Sequence, residues 1–453
     1  MRRQHCLKPT VLFLLGAGLV SPACVQVEPK PQIQRAHDLV RESTGQTELY
    51  DPYSAPLSNE DLEELLRDGL TLAEAQRLAL VNGKDLQAEF QEIGVAQAAW
   101  VQAQLFSNPS LDLLVGFPEA GGRTLFEAFL SVELLELWRI PLRTAASQER
   151  LQAAVLNIAR RSGEVLAETR NAYRLACAES ERVGLAQQKV VLAERALAAV
   201  QAMQELGRAD ESNVNRVRQP LLQAQLGLIA AQVAAEHAMA DLAVLLSAHC
   251  SMAHVPLLDR LPNDLESLPD TEALVELALV SRLDLQAHER EIEAMQLELQ
   301  GEGRDAWGNV SANGYLERPA QEGTSIHGVG LGLTVPLFDQ NQAQIARAAF
   351  QLEQSQHNYA GARIRVAQSV RQQATRVDGA ARSLRLHQDE WLPLAERNLT
   401  LAETAFASGT LDLDGLLEAQ ATLLDTRAAR IGLQLEAATA LADLESAVGR
   451  RLE

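Results

Sequence analysis

Long stretches of the chain set apolar residues at helical spacing. Ile345, Ala349 and Leu352 fall on one side of a helix, with Arg347, Gln351 and Gln354 on the other. No proline lies between Pro141 and Pro220, and after Pro336 only Pro393 interrupts the run to the C-terminus. Residues 342–408 as one helix would extend about 100 Å. Such length predicts coiled-coil or helical-barrel packing, not an ordinary globular core. Alanine seams such as Ala193, Ala196, Ala198 and Ala199 would let the helices approach closely. Two short breaks stand out: Gly207-Arg208-Ala209-Asp210 and Gly409-Thr410-Leu411-Asp412. A glycine stops one helix and an aspartate heads the next, so each break predicts a sharp turn between a long helix and a returning one.

Before each long helix the period changes to two. Ser110–Val115 and Leu125–Leu130 are separated by Pro118, Gly121 and Gly122. In the second half, Trp307–Leu316 is followed by Gly328-Val329-Gly330-Leu331-Gly332-Leu333-Thr334-Val335, which alternates apolar and small residues and so predicts a strand with one apolar face. These lengths suit a membrane strand of roughly 9–11 residues. Four strands cannot close a barrel, since the smallest membrane barrels have about eight, and an open edge in hydrocarbon leaves backbone groups unpaired. The strands must therefore be pooled from several copies. The alternative is a soluble four-stranded patch capping a helical bundle.

The chain also repeats itself. Leu78-Ala79-Leu80-Val81 and Asp85-Leu86-Gln87-Ala88 recur as Leu277-Ala278-Leu279-Val280 and Asp284-Leu285-Gln286-Ala287. Ile140-Pro141-Leu142 is echoed by Val335-Pro336-Leu337, Gly207 and Asp210 by Gly409 and Asp412, and Ala240-Asp241-Leu242 by Ala442-Asp443-Leu444. The offset of about 200 residues exceeds any solenoid unit and marks two large homologous halves. The expected organisation is a signal peptide (1–23), an extended N-terminal segment (24–60), a first repeat (61–255), a Pro-rich linker (256–270) and a second repeat (271–453), each repeat running helix, two strands, long helical hairpin.

Composition narrows the class. Aromatics are 4% of 453 residues against 47% hydrophobic overall, so the apolar content is mainly Ala, Leu and Val, as long helices require. A formal charge of −20 argues against nucleic acid as a partner. Met1-Arg2-Arg3, Lys8 and the apolar run from Val11 to Val20 read as an export signal. The sequence Ser21-Pro22-Ala23-Cys24 resembles a lipoprotein box in which Cys24 would be acylated, although Ser21 stands where such boxes carry Leu. No later segment reads as a membrane-spanning helix, since Leu226–Ala248 is interrupted by Gln232, Glu236, His237 and Asp241.

The most specific stretches are Leu70-Thr71-Leu72-Ala73-Glu74-Ala75, Ser107-Asn108-Pro109, Val335-Pro336-Leu337-Phe338-Asp339-Gln340-Asn341-Gln342 and Leu416-Leu417-Glu418-Ala419-Gln420. Through them, from Leu70 to Arg450, the chain resembles the TolC-type outer-membrane efflux proteins, in particular the subgroup serving heavy-metal and related resistance-nodulation-division pumps. The resemblance implies a mostly α fold with a small β part: a homotrimeric outer-membrane barrel, four strands per chain, continued by a long periplasmic α-helical barrel. It also implies a periplasmic adaptor and an inner-membrane transporter as partners, outer-membrane lipid around the barrel, and no cofactor. The adaptor-docking tips would be Gly207, Arg208 and Asp210 with Gly409, Thr410 and Leu411. The periplasmic gate would use Asp412, Asp414 and Glu418, tied to Arg216 or Arg218, with Gly415 standing where a family acidic position is displaced by one.

Other chemistry is sparse. His249-Cys250-Ser251-Met252-Ala253-His254 offers soft ligands at a spacing that fits no structural zinc motif, and no metal site is expected. No Gly-x-Ser-x-Gly, His-Glu-x-x-His or phosphate loop occurs, so no enzyme is expected. The reading is a passive duct of a tripartite efflux system. Type I protein secretion through the same architecture, or less readily a periplasmic coiled-coil scaffold, are the alternatives.

Overall fold

The computed structural model describes residues 26–54, 58–119, 121, 123–249, 252–264, 269–320 and 323–452. The export signal, Cys24 and Cys250 lie outside these residues. Two helices, α1 (Lys30–Thr44) and α2 (Asn59–Arg67), precede the first repeat. That repeat then runs α3 (Leu72–Asn82), α4 (Lys84–Gln104), β1 (Ser110–Gly116), β2 (Leu125–Glu133), α5 (Glu136–Glu205) and α6 (Glu211–Leu245). The second gives α7 (Thr271–Ser281), α8 (Leu283–Asp305), β3 (Val310–Arg318), β4 (Ile326–Leu333), α9 (Gln342–Leu386), α10 (Leu392–Ala407) and α11 (Leu413–Val448). The residues between α9 and α10, His387–Trp391, form one π-helical turn.

Helix formation follows local chemistry. The Leu70–Ala75 motif is a capping box: Thr71 Oγ1 accepts from the Glu74 N–H, and the Glu74 carboxylate accepts from the Thr71 N–H. Ser58 and Asp61 do the same for α2. Helix α5 has 70 residues and is about 105 Å long. It is amphipathic along its upper half, where Val155, Ile158, Ala159, Leu166, Tyr173 and Cys177 are buried against α3, α4 and α6. A second core forms around α7, α9 and α11 from Leu274, Val366, Val370, Val377 and Leu444. Each repeat thus has its own core.

Four expectations change. The segment expected to be extended over 24–60 contains helix α1: Pro31 sits in its first turn, where a missing N–H costs nothing, Ile33, Ala36 and Val40 bury one stripe, and Gly45 at φ 76° ends it. Pro141 lies inside α5, whereas its counterpart Pro336 precedes α9, so the repeats diverge at that junction. Strand β3 starts at Val310, not Trp307, because the Trp307 N–H still closes the last turn of α8 on the Arg304 carbonyl at 3.2 Å. Helix α6 is long and apolar enough to cross a membrane by length and composition, which the charges at Glu236 and Asp241 do not prevent. It instead folds back along α5. Its apolar side chains Leu222, Leu226, Ile229 and Val233 form one exposed stripe at helical spacing.

The sheet is antiparallel throughout, in the order β1-β2-β3-β4, with β1 and β4 at its edges. The linker belongs to the wall of the helical body. Leu257 bridges Leu70 in parallel, the Leu70 N–H donates to the Pro256 carbonyl at 2.9 Å, and Asp259 accepts from the Leu72 N–H at 2.6 Å.

Candidate functional site

Register sorts the sheet into two chemically different faces. Paired residues share a face, so Leu111, Leu113 and Val115 stand with Phe126, Ala128 and Leu130, then with Ala312, Gly314 and Leu316, then with Val329, Leu331 and Leu333. The opposite face mixes Asp112, Glu127, Ser131, Ser311, Asn313 and Glu317 with Leu114, Phe129 and Tyr315, while Arg318 and His327 join the first face at its loop end. The β4 glycines lie on the polar face: a Cβ on Gly328 would strike the Tyr315 ring, and one on Gly332 would come within 2.6 Å of Ser311 Oγ. Glycine there makes room for larger side chains of β3. Val329 is 93% exposed and Leu331 77%, so the β4 end of the apolar face is open in one copy. One face suits lipid and the other water, with unpaired hydrogen-bonding edges on both sides.

Aromatic residues mark the end of this band nearest the helices. Phe106, Trp138, Trp307 and Phe338 are all exposed where strands give way to helices. The Arg304 guanidinium lies 4.9 Å from the Trp138 ring centroid. Within the Val335–Gln342 motif, Asn341 takes a left-handed conformation (φ 59°), and its side chain donates to the Glu302 carbonyl at 2.9 Å. That turn swings Phe338 outward while anchoring α9 to α8. Trp and Tyr concentrate at membrane interfaces because their rings are apolar and their N–H or O–H tips are wet. The sequence reading missed this girdle. Its signal was the clustering of scarce aromatics at strand–helix junctions.

At the other end, the two tips are built alike. Gly207 (φ 70°) and Gly409 (φ 77°) end their helices in left-handed conformation. The Arg208 N–H donates to the Met203 carbonyl at 2.8 Å and the Thr410 N–H to that of Ala405 at 2.9 Å, the same Schellman closure in each. Asp210 then caps α6 through the Asn213 N–H (2.9 Å), and Asp412 caps α11 through the Gly415 N–H (3.0 Å). A Cβ at Gly415 would lie 2.5 Å from Leu411 Cδ1. Leu411 thus packs over the first turn of α11 against Gly415. Gly409→Val is expected to cost about 1–2 kcal/mol by forcing a β-branched residue into the left-handed region. Limited proteolysis at 405–412 should speed up accordingly, and an unchanged rate would contradict this.

Helices α5 and α11 run antiparallel in constant register. Lys189 meets Asp425 (2.5 Å), Arg174 donates to the Ala438 carbonyl (2.6 Å), Asn171 reaches Asp443 (3.3 Å), and Arg170 pairs with Glu445. The same register carried downward brings Gly207 and Gly409 to one level. Within the chain α6 packs on α5, α10 packs on α11, and α5 packs on α11. Arg216 and Arg218 on α6 are thus separated from α11 by α5, and neither makes a salt bridge with Asp412, Asp414 or Glu418 in one copy. All five side chains are exposed.

His249 reaches the Ser247 carbonyl at 3.0 Å. No cluster of metal-ligating side chains occurs among the described residues. Burial pushes the Cys177 thiol up to about 12, so it stays protonated and inert at neutral pH.

The chain resembles known outer membrane proteins in sequence and in fold. The profile of the outer membrane efflux protein family matches residues 274–450. The cobalt-zinc-cadmium resistance protein CzcC of Cupriavidus metallidurans is 22% identical over 383 residues, 84% of this chain and 90% of that protein, and so extends the match across both repeats. The second repeat thus carries the outer membrane efflux protein pattern. Two solved structures share the chain's fold: the outer membrane channel CmeC of Campylobacter jejuni (TM-score 0.70, 17% identity, 88% of this chain and 89% of that one) and the open state of the outer membrane channel MtrE of Neisseria gonorrhoeae (TM-score 0.67, 18% identity, 84% and 89%).

Proposed function

We propose that this chain is one of three identical subunits of an outer-membrane exit duct serving a tripartite efflux system. The observation that carries the reading is the four-stranded sheet, apolar on one face and polar on the other, with both edges unpaired. Three copies joined edge to edge would give twelve strands, closing a cylinder with lipid outside and water inside. The helices, about 100 Å long, extend that lumen through the periplasm. The tips dock a periplasmic adaptor, which in turn meets an inner-membrane transporter. CzcC is a cobalt-zinc-cadmium resistance protein, which supports metal cations as cargo. The cargo passes unchanged, so the duct needs neither cofactor nor catalytic group.

In this trimer the exposed stripe of α6 faces a neighbouring subunit, and an Arg216 or Arg218 tie to Asp412, Asp414 or Glu418 would cross the subunit boundary. Three-fold symmetry repeats each carboxylate around the axis, concentrating negative potential at the closed end. Glu418→Ala is expected to weaken block by divalent cations several-fold in planar-bilayer recordings, with current unchanged in their absence. Equal block in wild type and variant would remove Glu418 from the pore lining. Fractionation with gel mobility before and after heating tests the whole reading: a heat-dissociable trimer in the outer membrane is expected, and a soluble monomer would overturn it.

A further inference from the structure

The second hairpin carries a feature that its counterpart in the first repeat lacks. Pro393 cannot donate a backbone N–H, and its ring crowds the carbonyl four residues earlier. The helix passes it by widening into the π-helical turn His387–Trp391, closed by the Leu392 N–H on the His387 carbonyl. That widening turns His387 inward. The ring is 1% exposed, and among the described residues neither Nδ1 nor Nε2 makes a well-formed hydrogen bond, the Thr426 main chain lying only close enough to interact weakly. Leu384 is buried one turn earlier and Trp391 packs at 5.3 Å between ring centroids. Across the seam, α11 presents the Thr426 main chain and, as its charged group, Arg430. Asp389 and Glu390 on the same turn are exposed, and no carboxylate lies in salt-bridge range of the imidazole among the described residues.

The neighbouring contacts fasten the turn. Gln388 Nε2 donates to the Asn263 carbonyl of the linker at 2.8 Å, while Gln434 and Arg430 of α11 hold the Asn263 side chain at 2.6 and 3.4 Å. Linker, π turn and α11 thus meet around one buried imidazole. A buried polar group without a partner is tolerated while neutral and strongly disfavoured once charged.

We infer that the His387–Trp391 turn is a proton-sensitive hinge of the second hairpin: with His387 neutral it holds α9 and α10 against α11, and protonation of the ring expels it and frees the hairpin to swing. Burial, and secondarily Arg430, keep the seated ring's pKa below its ordinary value of 6.5, while the Thr426 main chain pulls part of the way back. An unseated ring titrates near that ordinary value. Below about pH 6.5 the unseated form therefore binds more protons, and the seated form loses ground by up to about tenfold per pH unit until its own lower pKa is passed. The consequence for a tip gate rests on the duct reading above, but the hinge itself does not.

Hydrogen exchange of the full-length protein in detergent, at pH 7.5 and 5.5 with rates corrected for intrinsic pH dependence, tests it. Peptides covering 384–396 and 423–434 should lose protection at the lower pH, by at most about tenfold, whereas those in α3 and α4 should not. His387→Phe fills the same seat without titrating and should abolish the pH response. His387→Gln, neutral but polar, should exchange faster at both pH values by the same factor. A wild type with no such response, or either variant responding as wild type does, would overturn the hinge. A duct that fails to conduct leaves this measurement intact, so failure of the hinge and failure of the duct reading are separable.

Discussion

Leu331→Arg is expected to eliminate the heat-dissociable trimer from the outer-membrane fraction, while Ser131→Lys leaves its recovery near that of wild type. Leu331 is in register with Ala312 and lies on the apolar face with Val329 and Leu333, 77% exposed in one copy. An arginine facing lipid costs about 2–4 kcal/mol near the bilayer midplane. The barrel repeats it three times, a penalty comparable to the whole stability of a typical domain. Ser131 pairs with Ser110 and Asn313 on the other face, where a cation meets water. The comparison asks which face meets lipid and does not depend on what is transported. Equal recovery of both variants would mean that the sheet is not embedded with this face outward, and the duct reading would go with it.

The features legible in the sequence were those set by local chemistry. A helix-stopping glycine followed three residues later by a capping aspartate specifies the same turn wherever it occurs, and both tips fold as that pattern demands. The Gly-Val-Gly-Leu-Gly-Leu alternation likewise dictates a two-faced strand, although the glycines prove to be there for Tyr315 and Ser311 across the pairing. Features that depend on a partner outside the segment were harder to read. Pro29 and Pro31 suggest extended chain until one sees that a proline in the first turn loses nothing and that α5 offers a surface for Ile33, Ala36 and Val40. The apolar stripe of α6 is ambiguous among membrane span, core and subunit contact, because all three place Leu and Ile at the same spacing. Asp414 and Glu418 are harder still. In one chain they stand solvated beside an ordinary helix start, and only in the proposed trimer would their setting lie between copies.

Neither tips nor sheet can hold their relative placement unless the helical body between them is stiff, and Tyr173 is where that stiffness is concentrated. It is 1% exposed in the middle of α5. Its hydroxyl donates to the Leu70 carbonyl at 2.7 Å and accepts from the Asp259 N–H at 3.2 Å, so one side chain joins the long helix, the entry to α3 and the linker. Burial raises the phenol's pKa well above its ordinary value, so the hydroxyl remains a donor across the physiological range. Tyr173→Phe is expected to cost about 1–2 kcal/mol, since the ring still fills its seat and only the buried polar contacts go unmet. Tyr173→Ala should cost about 3–5 kcal/mol by opening a cavity as well. Urea unfolding followed by helical circular dichroism would rank the two, and protease cleavage within 256–264 should accelerate in the same order because the linker loses its tie to α5. If cleavage there stayed at the wild-type rate in Tyr173→Ala, the linker would be held by its other ties, the Leu70–Leu257 bridge, the Asp259 bond to the Leu72 N–H and the Asn263 contacts with α11, and Tyr173 would not be what fastens it.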